Sequence, residues 1–329
     1  MLGLLRSRRK RIAITALLVI LSLTSLMVGS LGGVTPGALA AGDKTAWSVL
    51  WYSRLPRTAA IILSAAGLSA AGMIMQAISR NKFMSPSTSG TTDAAALGLL
   101  LSFVLLNRQP GLVQLLFAFV FALAASALFT TLLSRLKLRE AVYIPLVGMM
   151  YGGLISSVTT AIAYRFDVMQ MMSAIALGSF ARLGSFTMVY VVIAPLFFAV
   201  LYATRFSIIG LGEDFAKNLG LSYKRVVFTG LVIIALVSAS TFVSVGPLPF
   251  VGLIIPNMAA SFYGDNLKKS IVDLMLFGAD FVLVCDILSR LVIYPFEMSV
   301  SLTISVAGGA IFMFYLLRRM YVGKKREAA

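Results

Sequence analysis

Residues Ile208 to Arg225 read IIGLGEDFAKNLGLSYKR, a long polar interruption in a chain that is otherwise largely apolar. Gly212 can open a short helix. Glu213 and Asp214 then stand in its first turn, where the positive end of the helix dipole favours negative charge. Phe215, Ala216 and Leu219 follow at three- and four-residue spacing and are expected to share one face. Gly220 suits a left-handed C-terminal cap. Ser222 is placed to cap the next helix, which starts with Tyr223, Lys224 and Arg225 and runs directly into apolar sequence. The stretch therefore reads as a short amphipathic helix, a sharp bend and a return into a membrane. Lys217, Lys224 and Arg225 put it on the cytoplasmic side. Two readings are open: a solvated loop lying on the lipid surface, or a knob that docks a cytoplasmic partner.

Composition supports the membrane around it. Of 329 residues, 59% are hydrophobic and 12% charged, too apolar for a soluble domain of this size. A net charge of +16 invites a nucleic-acid reading. The Lys and Arg residues instead sit in short loops between apolar spans, so no nucleic-acid partner is expected. Cys285 is the single cysteine and lies inside an apolar run, which excludes an internal disulfide. There is no histidine, so the commonest metal ligand and general base is missing. No GxxxxGK[ST] phosphate loop, no HExxH and no aspartate pair at intramembrane-protease spacing is present. Nucleotide hydrolysis, other enzyme chemistry, a metal site and a cofactor are accordingly not expected.

A basic cluster, Arg6 to Arg11, precedes an apolar span over about 12–31. That span is long enough to cross a bilayer, although Ala38-Leu39-Ala40 could mimic a signal-peptidase site. Further spans run over roughly 58–78, 92–106, 112–133, 142–164, 186–203, 226–245, 247–262, 271–292 and 300–317. The expectation is an all-α polytopic membrane protein of about ten helices. With the N-terminus inside, 21 of the 28 Lys and Arg residues fall in inner segments and 7 in outer ones, so both termini are expected in the cytoplasm. Two interruptions, 77–92 (AISRNKFMSPSTSGTT) and 246–257 (GPLPFVGLIIPN), break the apolar pattern with proline and glycine after spans of opposite direction. Inverted repeats of a transporter have this form, and chance placement of glycine and proline gives it too.

Gly212, Glu213, Ala216, Leu219 and Gly220, in the order LGEDFAKNLG, resemble the coupling loop of ABC importer permeases for iron–siderophores and cobalamin. RLPRT at 54–58 and DILSRL at 286–291 resemble two further signatures of that family, and the matches together span nearly the whole chain. The resemblance implies a single transmembrane permease domain over 1–329, with a cytoplasmic coupling loop at about 205–225. Gly212, Glu213, Asp214, Ala216, Leu219 and Gly220 would then sit in a groove of an ATPase subunit. Arg54, Arg57 and Arg290, which on pattern alone are interfacial snorkelling anchors, would meet acidic residues of an extracellular binding protein.

The fifth span places Gly148, Gly152, Ser156 and Thr160 four residues apart on one helical face. This is a stripe for close helix packing, or, by the resemblance, the wall of the translocation path where two permeases meet. Asn81, Phe83, Ala141 and Val142 fall where the family has its cytoplasmic gates. Asn81 matches the motif, whereas Phe83, Ala141 and Val142 depart from it, and Asn257 and Ala260 depart from the usual turn near the second interruption. Asp280, Asp286 and Glu297 lie in or beside membrane spans, where charge is costly and often functional. Asp286 and Arg290 can pair along one face, and Glu297 is placed early in the last helix. SRNKFMSPSTSGTTD, YIPLVGMMYG and LGLSYKRVV resemble the petrobactin, anguibactin and vibriobactin permeases, which implies a ferric catecholate-type siderophore.

The function this implies is the membrane subunit of an ABC importer in the bacterial cytoplasmic (inner) membrane. Its partners would be a second permease, identical or a sister, two ATP-binding subunits, a siderophore-binding protein and the lipid bilayer. Cobalamin or haem import by the same family, and an ion-coupled secondary transporter with Asp280 and Asp286 as ion sites, are the alternatives. An adjacent ATPase and binding protein would discriminate between the two transport classes.

Overall fold

A computed structural model describes residues 2–29, 35–106, 111–136, 140, 142–181, 186–263 and 267–327. Regular structure among them is entirely helical. In chain order the α-helices are α1 (Leu2–Met27), α2 (Pro36–Ala40), α3 (Lys44–Val49), α4 (Leu55–Ser79), α5 (Thr91–Leu106), α6 (Gly111–Arg135), α7 (Tyr143–Arg165), α8 (Met169–Ala176), α9 (Ile193–Ile209), α10 (Glu213–Asn218), α11 (Tyr223–Val245), α12 (Val251–Tyr263), α13 (Leu267–Leu291) and α14 (Val300–Glu327). Each of the ten apolar spans falls on a helix. Of the four short helices between them only α10 is expected from the sequence.

Two helices form the axis. The most apolar window of the run 44–79, which includes α4, is 78% buried, and that of α11 is 72% buried, against 22% for α7. Small residues explain the position of α4. Ala65, Ala66, Gly67, Ser69, Ala70, Ala71 and Gly72 are all buried on it, and small side chains let helix backbones approach closely. At Gly72 a Cβ would lie 1.9 Å from the carbonyl oxygen of Gly252, so α12 crosses α4 backbone against backbone. At Gly278 of α13 a Cβ would lie 2.1 Å from Ser69 Oγ. Helix α7 is the opposite case. Met150 and Leu154 are about two-thirds exposed, an apolar surface that suits lipid or another membrane protein.

The two interruptions meet in space. The first is the turn between α4 and α5; the second joins α11 to α12 and reaches Pro256 inside α12. Asn257 Nδ2 donates to Lys82 O at 2.7 Å and to Leu253 O at 2.7 Å, tying one to the other. Helix α4 ends with Arg80 in the left-handed region, φ 49°. Four residues of α13, Asp273, Asp280, Asp286 and Arg290, turn inward and are buried.

Candidate functional site

The coupling stretch folds as its residues dictate. Gly212 adopts φ 121°, ψ 163°, a conformation open essentially to glycine, and α10 begins at Glu213. Gly220 sits at φ 75°. Its N–H donates to Lys217 O at 2.9 Å, and Leu221 N–H donates to Ala216 O at 3.0 Å. That pair of bonds is the Schellman closure. A Cβ at Gly220 would meet no atom within 4 Å, so the demand for glycine is conformational rather than steric. Ser222 does stand ahead of α11, but its hydroxyl makes no capping bond.

The expected common face of α10 divides. Ala216 is fully buried, whereas Phe215 and Leu219 are about half exposed and Leu211 is 65% exposed. Adjacent helical residues point about 100° apart, so Phe215 and Leu219 stack on the outer side while Ala216 turns to the bundle. The result is an apolar ridge on an otherwise polar end. Lys217 Nζ pairs with Glu213 Oε1 at 2.9 Å, and the hydrogen bond and charge of Glu213 raise the Lys217 pKa.

At the other end, the three arginines converge rather than project. Arg54 and Arg290 are 6% and 2% exposed. Arg54 Nη1 donates to Leu26 O at 2.8 Å and Met27 O at 2.6 Å. Arg290 Nη1 donates to Ser25 O at 3.0 Å and Val28 O at 2.5 Å, and its Nη2 donates to Ser25 Oγ at 2.7 Å. Both guanidiniums thus satisfy the orphan carbonyls at the C-terminal end of α1, the negative end of its dipole. Arg57 spans two acids, Nη2 to Asp286 Oδ1 at 2.8 Å and Nη1 to Glu297 Oε2 at 2.8 Å. Asp286 Oδ2 also pairs with Arg290 Nη2 at 2.6 Å. The i,i+4 pairing of Asp286 with Arg290 is present as expected. Snorkelling anchors they are not: burial and pairing turn these side chains inward. Glu297 lies in the loop ahead of α14, not in its first turn. A cavity of about 300 Å³ opens over the cluster, with Ser53, Arg54, Arg57, Arg290 and Glu297 in its wall.

The stripe on α7 also divides. A Cβ at Gly148 would lie 2.1 Å from Thr88 O, and one at Gly152 would lie 2.6 Å from Asp93 Oδ2. These two glycines are packing contacts against the first interruption. Ser156 and Thr160 are exposed and line an open groove with Tyr164 and Arg165. The expected single wall is therefore half packing seam, half open surface.

Of the candidate gate residues, Asn81 is buried and its Oδ1 accepts from Phe83 N at 2.8 Å, an Asx turn that closes the end of α4. Phe83 packs edge-on against Phe312, ring centres 6.4 Å apart. Val142, just ahead of α7, is 65% exposed. Ala141 lies outside the described residues. Sequence reasoning passes over the α1 carbonyls and Thr58, whose hydroxyl meets Ser25 Oγ at 3.1 Å. Backbone acceptors carry no sequence signal, and Thr58 reads only as part of RLPRT.

Comparison with known proteins agrees along most of the chain. The family model described as the FecCD transport family matches residues 17–319. The petrobactin import system permease protein YclN of Bacillus subtilis is 45% identical over 305 residues, covering 92% of this chain and 96% of that protein. The ferric-anguibactin transport system permease protein FatD of Vibrio anguillarum is 38% identical, covering 84% of this chain and 88% of its own length. Among solved structures, a metal-chelate type ABC transporter in an inward-facing conformation superposes with a TM-score of 0.78 at 22% identity, over 94% of this chain and 99% of that one. The arrangement of helices is thus that of an ABC permease, and the chain belongs to the FecCD transport family.

Proposed function

We propose that this chain is the membrane-spanning subunit of an ABC importer that brings a ferric siderophore, of the catecholate type, into the cytoplasm. The observation that carries the reading is its 45% identity, over nearly its full length, to a permease named for petrobactin. One permease domain supplies half of the pore, and a second permease, identical or a sister, supplies the other half. The protein lies in the bacterial cytoplasmic membrane with both termini inside.

Energy enters at α10. The exposed ridge of Leu211, Phe215 and Leu219 seats in an ATP-binding subunit, with Glu213 and Asp214 at its rim. Buried Ala216 and the closed cap at Gly220 make α10 move as one body with the bundle, so displacement by the ATPase reaches the pore. Cargo enters at the opposite end. Arg57, held in place beside Arg54 and Arg290, receives an acidic side chain of the binding protein, which competes with Glu297 for it in the cavity above the cluster. The path runs along the Ser156 and Thr160 side of α7. Asn81, Phe83, Ala141 and Val142 form its cytoplasmic closure.

Reconstitution tests this. The full-length protein is placed in vesicles alone, then with the ATPase and binding protein, with and without proton or sodium gradients. Ferric siderophore uptake is expected only with both partners and ATP. Asp280→Asn should leave that uptake nearly unchanged, because no ion needs to pass through Asp280. Gradient-driven uptake by the chain alone, abolished by Asp280→Asn, overturns the proposal in favour of a secondary transporter.

A further inference from the structure

A second polar locus lies where the two interruptions meet. A cavity of about 140 Å³ opens between them, and Ser87, Thr92, Asp93, Ser238, Thr241 and Pro247 are among its lining residues. Two of these are unusual. Ser238 and Thr241 of α11 are each 2% exposed, and neither hydroxyl has a hydrogen-bond partner. A serine or threonine inside an apolar helix normally bonds back to the carbonyl four residues earlier. Ser69, Thr130, Thr159, Ser207 and Thr229 all do so here. Ser238 and Thr241 forgo that bond, as Ser64 and Ser244 do elsewhere, and of these four they are the ones in the cavity wall.

Asp93 lines the same space. Its carboxylate is wedged against Gly152, where any Cβ would come within 2.6 Å of Oδ2. No basic residue lines the cavity among the described residues. A carboxylate at the head of an apolar helix, sharing a cavity wall with two hydroxyl oxygens that have no partner, makes a set of hard oxygen donors with one negative charge. Such a set suits a hard cation of low charge and not a soft metal. A water molecule takes about 30 Å³ of liquid volume, so the cavity has room for an ion together with a few waters.

We propose that this cavity binds a monovalent cation, Na⁺ or an ion of the same chemistry, through Asp93, Ser238, Thr241 and bound water. The ion joins the first turn of α5 to the C-terminal part of α11, next to where the two interruptions meet. The proposal does not depend on which cargo the transporter carries.

The test is equilibrium binding of ²²Na⁺ to the purified full-length protein, with thermal unfolding followed in parallel in NaCl and in N-methylglucamine chloride. Saturable binding approaching one ion per chain is expected, with a rise in unfolding temperature in Na⁺. Asp93→Asn should abolish both, and the pair Ser238→Ala and Thr241→Val should weaken both without removing charge. Should Asp93→Asn fail to fold, the hydroxyl pair decides. Absence of saturable binding and of any Na⁺-specific shift in the wild type overturns the proposal. So does binding undiminished in the variants, which would put the ion elsewhere.

Discussion

The two ends of this bundle are built on opposite principles. At the coupling end, α10 is made from neighbours in sequence: a glycine on each side, two acids in the first turn, a lysine four residues after a glutamate. It turns apolar side chains outward. At the arginine end, apart from the i,i+4 pair of Asp286 and Arg290, the charges find their partners far along the chain. Arg57 lies 229 residues from Asp286 and 240 from Glu297, and Arg290 lies 265 from Ser25. There the charges turn inward. One end is a local structure offered to a partner, and the other is a long-range structure that closes the bundle. Stability should therefore reside in the second and coupling in the first.

Four variants sharpen that contrast. The largest loss of stability is expected at Asp286, whose carboxylate is the shared partner of Arg57 and Arg290. Asp286→Ala removes the one carboxylate that two buried guanidiniums share, leaving Arg57 with Glu297 and Arg290 with the α1 carbonyls, and breaking a buried pair costs about 3–5 kcal/mol. The measurement is unfolding of the purified protein in detergent, and unaltered stability would remove the structural role. Gly220→Val comes next. A β-branched residue at φ 75° costs roughly 1–2 kcal/mol. The strain falls on α10, so ATP-driven uptake should drop while the bundle stays folded; normal uptake would mean the cap transmits nothing.

Phe215→Asp with Leu219→Asp should leave unfolding unchanged, because both side chains are already exposed, and should abolish association with the ATPase in a pull-down. Retained association would place the contact elsewhere. The smallest effect belongs to Lys217. Glu213 raises its pKa above the ordinary lysine value of 10.5. A raised folded-state pKa gives stabilisation that is complete below the unfolded value and is lost as pH rises through the folded one. Across pH 6–9, Lys217→Met should therefore shift the unfolding curve by a small amount that does not vary with pH. A pH-dependent difference in that window would show the pair to be more than a surface contact.

This contrast also explains what was legible beforehand. The ten spans, the α10 helix and its Gly220 cap follow from hydropathy and from turn chemistry, which act over a few residues. The division between buried Ala216 and exposed Phe215 and Leu219 does not, because period alone cannot say which flank of a short helix touches the bundle. The arginines were visible as signatures but not as a buried cluster, since their acceptors are partly backbone carbonyls of α1. The α7 stripe divided for a similar reason. Gly148 packs on Thr88 in the turn and Gly152 on Asp93 at the head of α5, contacts no periodicity reveals. Asp93 itself, following Ser-, Gly- and Thr-rich sequence, looks like an ordinary first-turn acid of α5.

The arginine clasp on α1 has a consequence for how the protein is made. The carbonyls of Ser25 and Val28 leave the ribosome early, yet Arg290, which binds them, follows more than 260 residues later. At roughly 5–20 residues per second, α1 waits for tens of seconds in the lipid with its last turn still open to Arg290. Arg54 arrives only 28 residues after its acceptor and can hold that turn in the meantime. Biogenesis of this membrane protein then has two stages, an early latch by Arg54 and a late lock by Arg290. The insertion machinery must keep the first helices within reach until α13 emerges.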